Sequence, residues 1–219
     1  MKNKISSYLL LCFLILFNIN NLDANELTFD TSEISVSANG NIINATNGIA
    51  ISKNENIKII ADNFVYDKIA STLNASGNVQ IVSLESDLLI SAKNINYNIT
   101  DNKIISKQSS NIKDNQGNLI LMKEFIYDLD DNLVKLNKVK VIDVNKNILK
   151  LDLAYLNLLS KKLIGKDVFI NFNNKDFDKQ NEPRLKGLSF QGDEKNSIIN
   201  GGVFTTCKKN DDCPPWQFT

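Results

Sequence analysis

An all-β protein built from a stacked unit of about 30 residues is what this sequence predicts. Three observations lead there. Four strand-like segments each end in an aromatic residue or leucine followed by Asp or Asn: Ala61-Asp-Asn-Phe-Val-Tyr-Asp67, Ala92-Lys-Asn-Ile-Asn-Tyr-Asn98, Met122-Lys-Glu-Phe-Ile-Tyr-Asp128 and Leu151-Asp-Leu-Ala-Tyr-Leu-Asn157. Counted at Tyr66, Tyr97, Tyr127 and Leu156, their spacings are 31, 30 and 29 residues, steady enough to mark one supersecondary unit repeated. Apolar and polar residues alternate with period two throughout, and turn-forming words such as Asn47-Gly48, Ser76-Gly77-Asn78 and Gln116-Gly117-Asn118 separate the runs.

The elements follow in order. Lys2 and Lys4, the apolar run Tyr8 to Phe17, and the small residue Ala24 read as a signal peptide over 1–24. The run is short for a membrane span, and Cys12 falls inside it. The repeating region then fills a domain over 25–172. Leu73, Ala75, Gly77, Val79 and Ile81 alternate onto one face, as do Leu88, Ile90 and Ala92, then Ile95, Tyr97 and Ile99. Val139 and Val141, the leucines 149, 151 and 153, and Val168, Ile170 and Phe172 continue the theme. The repeat register favours strand over helix even where leucines crowd between Leu151 and Lys162. An earlier copy, offset by 37 residues, is suggested by Phe29-Asp30 against Tyr66-Asp67 and by Gly40-Asn-Ile42 against Gly77-Asn-Val79. No proline precedes Pro183, which suits long uninterrupted ladders. Residues 173–219 read as a polar linker followed by a segment with both remaining cysteines and Pro214-Pro215. The chain stops at Trp216-Gln-Phe-Thr219, inside what reads as the start of a further strand, so a longer protein is expected.

Composition narrows the function classes. Lys plus Arg number 25 and Asp plus Glu 25, which leaves no basic field for nucleic acid. The absence of histidine removes the usual general base and the commonest zinc ligand. Cys207 and Cys213 alone make a poor metal site, and export makes a disulfide the natural expectation, though spacing does not decide their partners. The carboxylate pairs Asp130–Asp131 and Asp211–Asp212 lie in polar, turn-like stretches where Asp is expected anyway, so no catalytic residue is assigned. Abundant asparagine is read as codon bias.

The segment Ala75-Ser-Gly-Asn-Val-Gln-Ile81, set between the copies at 61–67 and 92–98, resembles the A-D-x-x-x-Y-D … A-x-G-x-V repeat of the OstA-like lipopolysaccharide-transport family. That family includes LptA, LptC and the N-terminal domain of LptD. The resemblance covers roughly Leu27 to Phe172. Gly201-Gly-Val-Phe-Thr-Thr-Cys207 followed by Cys213-Pro-Pro-Trp216 looks like the junction at which LptD-type members pass from periplasmic domain to outer-membrane barrel. The family has disulfides tying that junction to the barrel. This chain has no cysteine just after the expected cleavage site, where some members have one, and no barrel, so a Cys207–Cys213 pair stands as the alternative.

The resemblance implies an open V-shaped β-jellyroll enclosing an apolar groove, with no cofactor and no metal. Val79, Ile81, Ile90, Tyr97, Phe125, Tyr127, Val139, Val141, Leu151, Val168 and Ile170 would line it. From the pattern alone, the same residues more readily fill a closed sandwich core, and it is the resemblance that turns the set toward a groove. The implied partners are lipopolysaccharide acyl chains and an LptA-like bridge that adds a strand at Ile34 and Val36, plus an LptE-like lipoprotein if a barrel follows. The implied location is the periplasmic face of the outer membrane. A free periplasmic carrier of the same family is the alternative.

Overall fold

The computed structural model describes residues 27–173, 175, 181–193 and 195–208. The expected signal segment, Cys213, Asp211 and Asp212 lie outside them. Fifteen strands follow in order: β1 (Leu27–Ser37), β2 (Ile42–Ser52), β3 (Ile57–Asp67), β4 (Thr72–Ser83), β5 (Leu89–Asn98), β6 (Lys103–Ser106), β7 (Ser110–Lys113), β8 (Leu119–Met122), β9 (Glu124–Asp128), β10 (Leu133–Ile142), β11 (Ile148–Asn157), β12 (Leu163–Asn171), β13 (Arg184–Gly192), β14 (Ser197–Asn200) and β15 (Val203–Thr205). All the pairings are antiparallel, and they join every strand into one sheet that follows chain order. β6 with β7, β8 with β9, and β14 with β15 are the halves of single interrupted runs, since each couple lies along the same neighbouring strand. The chain is therefore all-β, as its alternation predicts.

One sheet cannot bury its own face unless it folds over. The sequence supplies the fold line. Each run leading away from an upper turn is broken at the same height: Asn47 (φ 49°), Gly77 and Asn78 (76° and 47°), Lys138 (51°), Asp167 (58°) and Gly201 (60°) all have positive φ, and residues 107–109 are the gap between β6 and β7. Two of the ladders also shift register there, between Ile60 and Asn63 and between Ser76 and Val79. Such irregularities bend a strand and sharpen its twist. In most strands the pleat also inverts at this height, whereas β4 keeps one parity across it and buries Leu73, Ala75, Val79 and Ile81. β3 buries Ile57, Ile59 and Ala61, then Phe64 and Tyr66, a step of three in a run of twos.

That inversion explains the repeated heptad. Its first, fourth and sixth residues point inward: Ala61, Phe64 and Tyr66; Ala92, Ile95 and Tyr97; Met122, Phe125 and Tyr127; Leu151, Ala154 and Leu156. Its second residue (Asp62, Lys93, Lys123 or Asp152) is the charged one at the crease. Its seventh holds the upper turn. Asp67 Oδ1 accepts the Ile69 and Ala70 N–H groups at 2.9 Å, and Asn157 Oδ1 accepts that of Ser160 at 2.8 Å. Lys103, 2.9 Å away, holds the Asp128 carboxyl below its ordinary range, helped by the turn amides of Asp131 and Asp130.

The upper turns stack on one another. The N–H groups of Lys68, Ile99, Leu129 and Leu158 donate to the carbonyls of Asn41, Ser71, Asn102 and Asn132 at 2.9–3.0 Å. Asn39, Asn102 and Asn132 sit in these turns with positive φ, a conformation asparagine tolerates better than most residues. Part of the asparagine excess is therefore conformational rather than codon bias.

The repeat is also longer than four copies. Thr31–Ser37 on β1 and Gly187–Asp193 on β13 occupy the same place, and Asp193 Oδ1 accepts the Lys195 and Asn196 N–H groups at 2.8 Å. The 37-residue offset does not hold. Phe29 pairs with Ala50 at the lower end of β1 while Tyr66 stands at the upper end of β3, and Gly40 is in a turn while Gly77 is on the crease. Nor does the sheet stop at Phe172, because β13 pairs along β12 from Arg184 to Gly192.

Gly48 carries the crease of β2 past β1, where an added Cβ would collide with the Asp30 carbonyl oxygen and the Thr31 backbone. Gly48→Ala is expected to destabilise the protein by about 1–3 kcal/mol, read from the urea midpoint. An unchanged midpoint would mean that β1 packs more loosely than described.

Candidate functional site: a lined interior with two open ends

Folding at the crease sets the upper half of the sheet over the lower half. Pairing places the inner side chains in rows across the strands. One upper row runs Val36, Ile43, Tyr66, Leu73, Tyr97, Ile104, Tyr127 and Val134. A lower row runs Phe29, Ala50, Ile59, Ile81, Ile90, Ile112 and Ile120 on to Val141, Leu149 and Ile170. All eleven residues expected to line a groove stand on this interior. Val79, Ile81, Ile90, Tyr97, Phe125, Tyr127, Val139, Leu151 and Val168 are buried, whereas Val141 and Ile170 are half-buried.

The halves meet along a seam. Tyr97, on the upper half of β5, interacts with Ser52 at the lower end of β2. Tyr127 on β9 likewise meets Ser83 at the lower end of β4 and also donates to Asn132 Oδ1 at 3.3 Å. Farther along, Ser86 Oγ donates to the Leu158 carbonyl at 3.1 Å, and Lys161 Nζ lies 3.0 Å from Asp87. Each upper half thus leans on a lower half that came earlier in the chain.

This stagger leaves both ends of the interior short of cover. Among the described residues, the first upper half has no earlier lower half to meet. Ile34 and Val36 occupy the inward positions that Phe64 and Tyr66 fill one copy later, yet they are 56% and 59% exposed. At the other end the last lower half lacks a following upper half among the described residues, and Val141, Leu149, Ile170, Leu185 and Phe204 are only half-buried. Phe204 packs edge-on against Phe172, ring centroids 6.0 Å apart. The sequence marks Ile34 and Val36 as a partner edge but not as lining. Stepping back 30 residues from Phe64 and Tyr66 would have found them. β1 bonds only to β2, and β14 and β15 only to β13, so both sheet edges are free among the described residues.

Asp130 and Asp131 stand in the turn between β9 and β10, where Asp130 accepts the Asn102 side-chain amide at 2.8 Å and the Asp131 carbonyl accepts that of Asn157 at 3.2 Å. Among the described residues no group of three or more Cys, Asp or Glu is arranged to hold a metal. Cys207 is half-buried beside β15, and Arg184 donates to its carbonyl. Its sulfur is disulfide-bonded, and Cys213 lies outside the described residues.

No family model matches the chain, and neither does any curated protein. Among solved structures, the chain is similar to the crystal structure of LptH from Pseudomonas aeruginosa, the LptA-homologous periplasmic component of the conserved lipopolysaccharide transport device. The two share 9% sequence identity with a TM-score of 0.46, over 54% of this chain and 95% of that one.

Burial pushes the phenols of Tyr97 and Tyr127 up to about 12, and the Ser52 and Ser83 hydroxyls offset only part of the shift. Their neutral forms are favoured by folding, so this stabilisation is complete below about pH 10 and drains away as pH rises toward 12. Alkaline unfolding is expected over that window. The Tyr97 hydroxyl has no well-formed hydrogen bond. Tyr97→Phe should therefore keep neutral-pH stability within about 1 kcal/mol of the parent while shrinking the alkaline loss. A large cost at pH 7 would contradict the seam described here.

Proposed function

We propose that this interior carries the acyl chains of lipopolysaccharide, and that the chain is a periplasmic part of a lipopolysaccharide-transport system. The observation that carries the reading is an apolar interior built of near-identical units and under-covered at opposite ends on opposite walls. Each methylene taken out of water contributes about 0.8 kcal/mol, so a shielded acyl chain gains roughly 10 kcal/mol without any covalent step. Repetition keeps neighbouring positions similar in energy, which lets a chain slide instead of being trapped. The described interior is closed along its middle by the seam, so loading begins at the ends or requires the seam to part. The OstA-like repeat words in the sequence support the same ligand.

The finer reading is the N-terminal periplasmic domain of an LptD-type protein at the outer membrane. The cysteine-bearing segment after β15 supports it. In that role an LptA-like bridge adds its last strand at β1, extending both the ladder and the interior past Ile34 and Val36. A free periplasmic bridge is the second reading, favoured by free edges at both ends of the sheet. The reading frame beyond Thr219 separates them: several hundred residues of alternating ten-residue strands indicate a barrel.

Photocrosslinkers at Val36 and Val141 are expected to capture lipopolysaccharide, with one at Tyr97 doing so only when the interior is loaded. Capture at none of the three sinks the lipid reading. The paired change Ile34→Asp and Val36→Asp should abolish crosslinking to an LptA-like bridge while moving stability by less than about 1 kcal/mol, because both side chains are exposed. Undiminished bridge crosslinking would remove β1 as the receiving strand.

A further inference from the structure

The outer face of the lower half changes character along the chain. Six segments form its later part: 119–123, 138–142, 148–151, 168–171, 184–187 and 203–205. They contain Lys123, Lys138, Lys140, Lys150, Arg184 and Lys186, and no Asp or Glu. The whole chain has no net charge, so this wall is a local segregation of cations. Lys138 is engaged by Asp152 at 2.8 Å and Arg184 by Glu182 at 3.8 Å. No ion pair reaches Lys140, Lys150 or Lys186 among the described residues.

Register sets these three lysines in one line. Leu121, Lys140, Lys150, Phe169, Lys186 and Val203 are consecutive cross-strand partners. They face away from the interior, since Val139, Val141, Leu149 and Leu151 face into it. Lys140 and Lys150 stand directly opposite each other, a like-charge pairing that costs the sheet stability. Lys150 Nζ lies 5.9 Å from the centroid of the Phe169 ring, and Leu121, Phe169 and Val203 are half-buried. The facing lysines repel each other, and a negatively charged partner would relieve that repulsion.

We propose that this wall is a docking surface for an anionic phospholipid bilayer. The partner must be negative, extended along this row, and able to accept apolar side chains between the charges. A bilayer interface meets all three conditions: its headgroups attract lysines, and its acyl boundary receives Leu121, Phe169 and Val203. A soluble polyanion would satisfy the charge and leave those apolar side chains in water. The surface is on the opposite face of the sheet from the lipid-lined interior, so it stands apart from the reading given under Proposed function.

The test is sedimentation of residues 27–219, which hold the whole described sheet, with vesicles of phosphatidylglycerol and phosphatidylethanolamine. Binding is expected to weaken with salt and to be lost on vesicles of phosphatidylcholine alone. The triple change Lys140→Gln, Lys150→Gln and Lys186→Gln should weaken binding about a hundredfold, and the control pair Lys58→Gln and Lys93→Gln should leave it unchanged. The triple variant should melt no lower than the parent, since it removes a repulsion. Phe169→Ala should weaken binding to anionic vesicles and spare binding to soluble polyphosphate. Equal binding to neutral vesicles, an unaffected triple variant, or a Phe169→Ala variant that keeps full vesicle binding would each overturn the proposal.

Discussion

Everything in this molecule depends on the break in the strands at one height across the sheet. A flat meander of this length would expose one apolar face from end to end. The breaks at Asn47, Gly77–Asn78, 107–109, Lys138, Asp167 and Gly201 turn that face on itself, so that a single sheet supplies both walls of its own interior. The cost is local: left-handed backbone at non-glycine residues and a row of charged side chains at the bend. The gain is collective, because each bend lets an upper half bury its aromatic residues on a lower half. Tyr97 over Ser52 and Tyr127 over Ser83 are the same contact made one repeat apart.

Much of this was legible in the amino-acid order, and the parts that were not have identifiable causes. The four heptads are readable because an inward aromatic or leucine is followed directly by a turn-capping Asp or Asn, as in Tyr66-Asp67. The first copy hides because Val36-Ser37 replaces both signals. The last hides because Gly192 takes the aromatic's place in Gly187–Asp193 and the segment after Phe172 disrupts the spacing. The 37-residue offset failed because a Gly-Asn word serves a turn at Gly40 and a bend at Gly77. Two different backbone tasks select the same residues.

Whether the interior is filled or open was not legible from period two, since inward residues alternate identically in a core and in a groove. What separates the cases is which half of the sheet covers which, and that depends on contacts 44 or 45 residues apart, as Tyr127 to Ser83 and Tyr97 to Ser52 show. No local pattern encodes that distance. It also explains how Ile34 and Val36 can be interior by position and exposed by circumstance.

The stagger has a consequence for evolution. Because each later unit is covered by one that precedes it, the two ends of the described sheet are marked by the cover they lack. Duplicating or deleting one hairpin pair in the middle would change how far the apolar interior reaches and leave both of its ends as they are. Length is thus a free variable in this architecture, adjustable in steps of one heptad copy without redesigning either terminus.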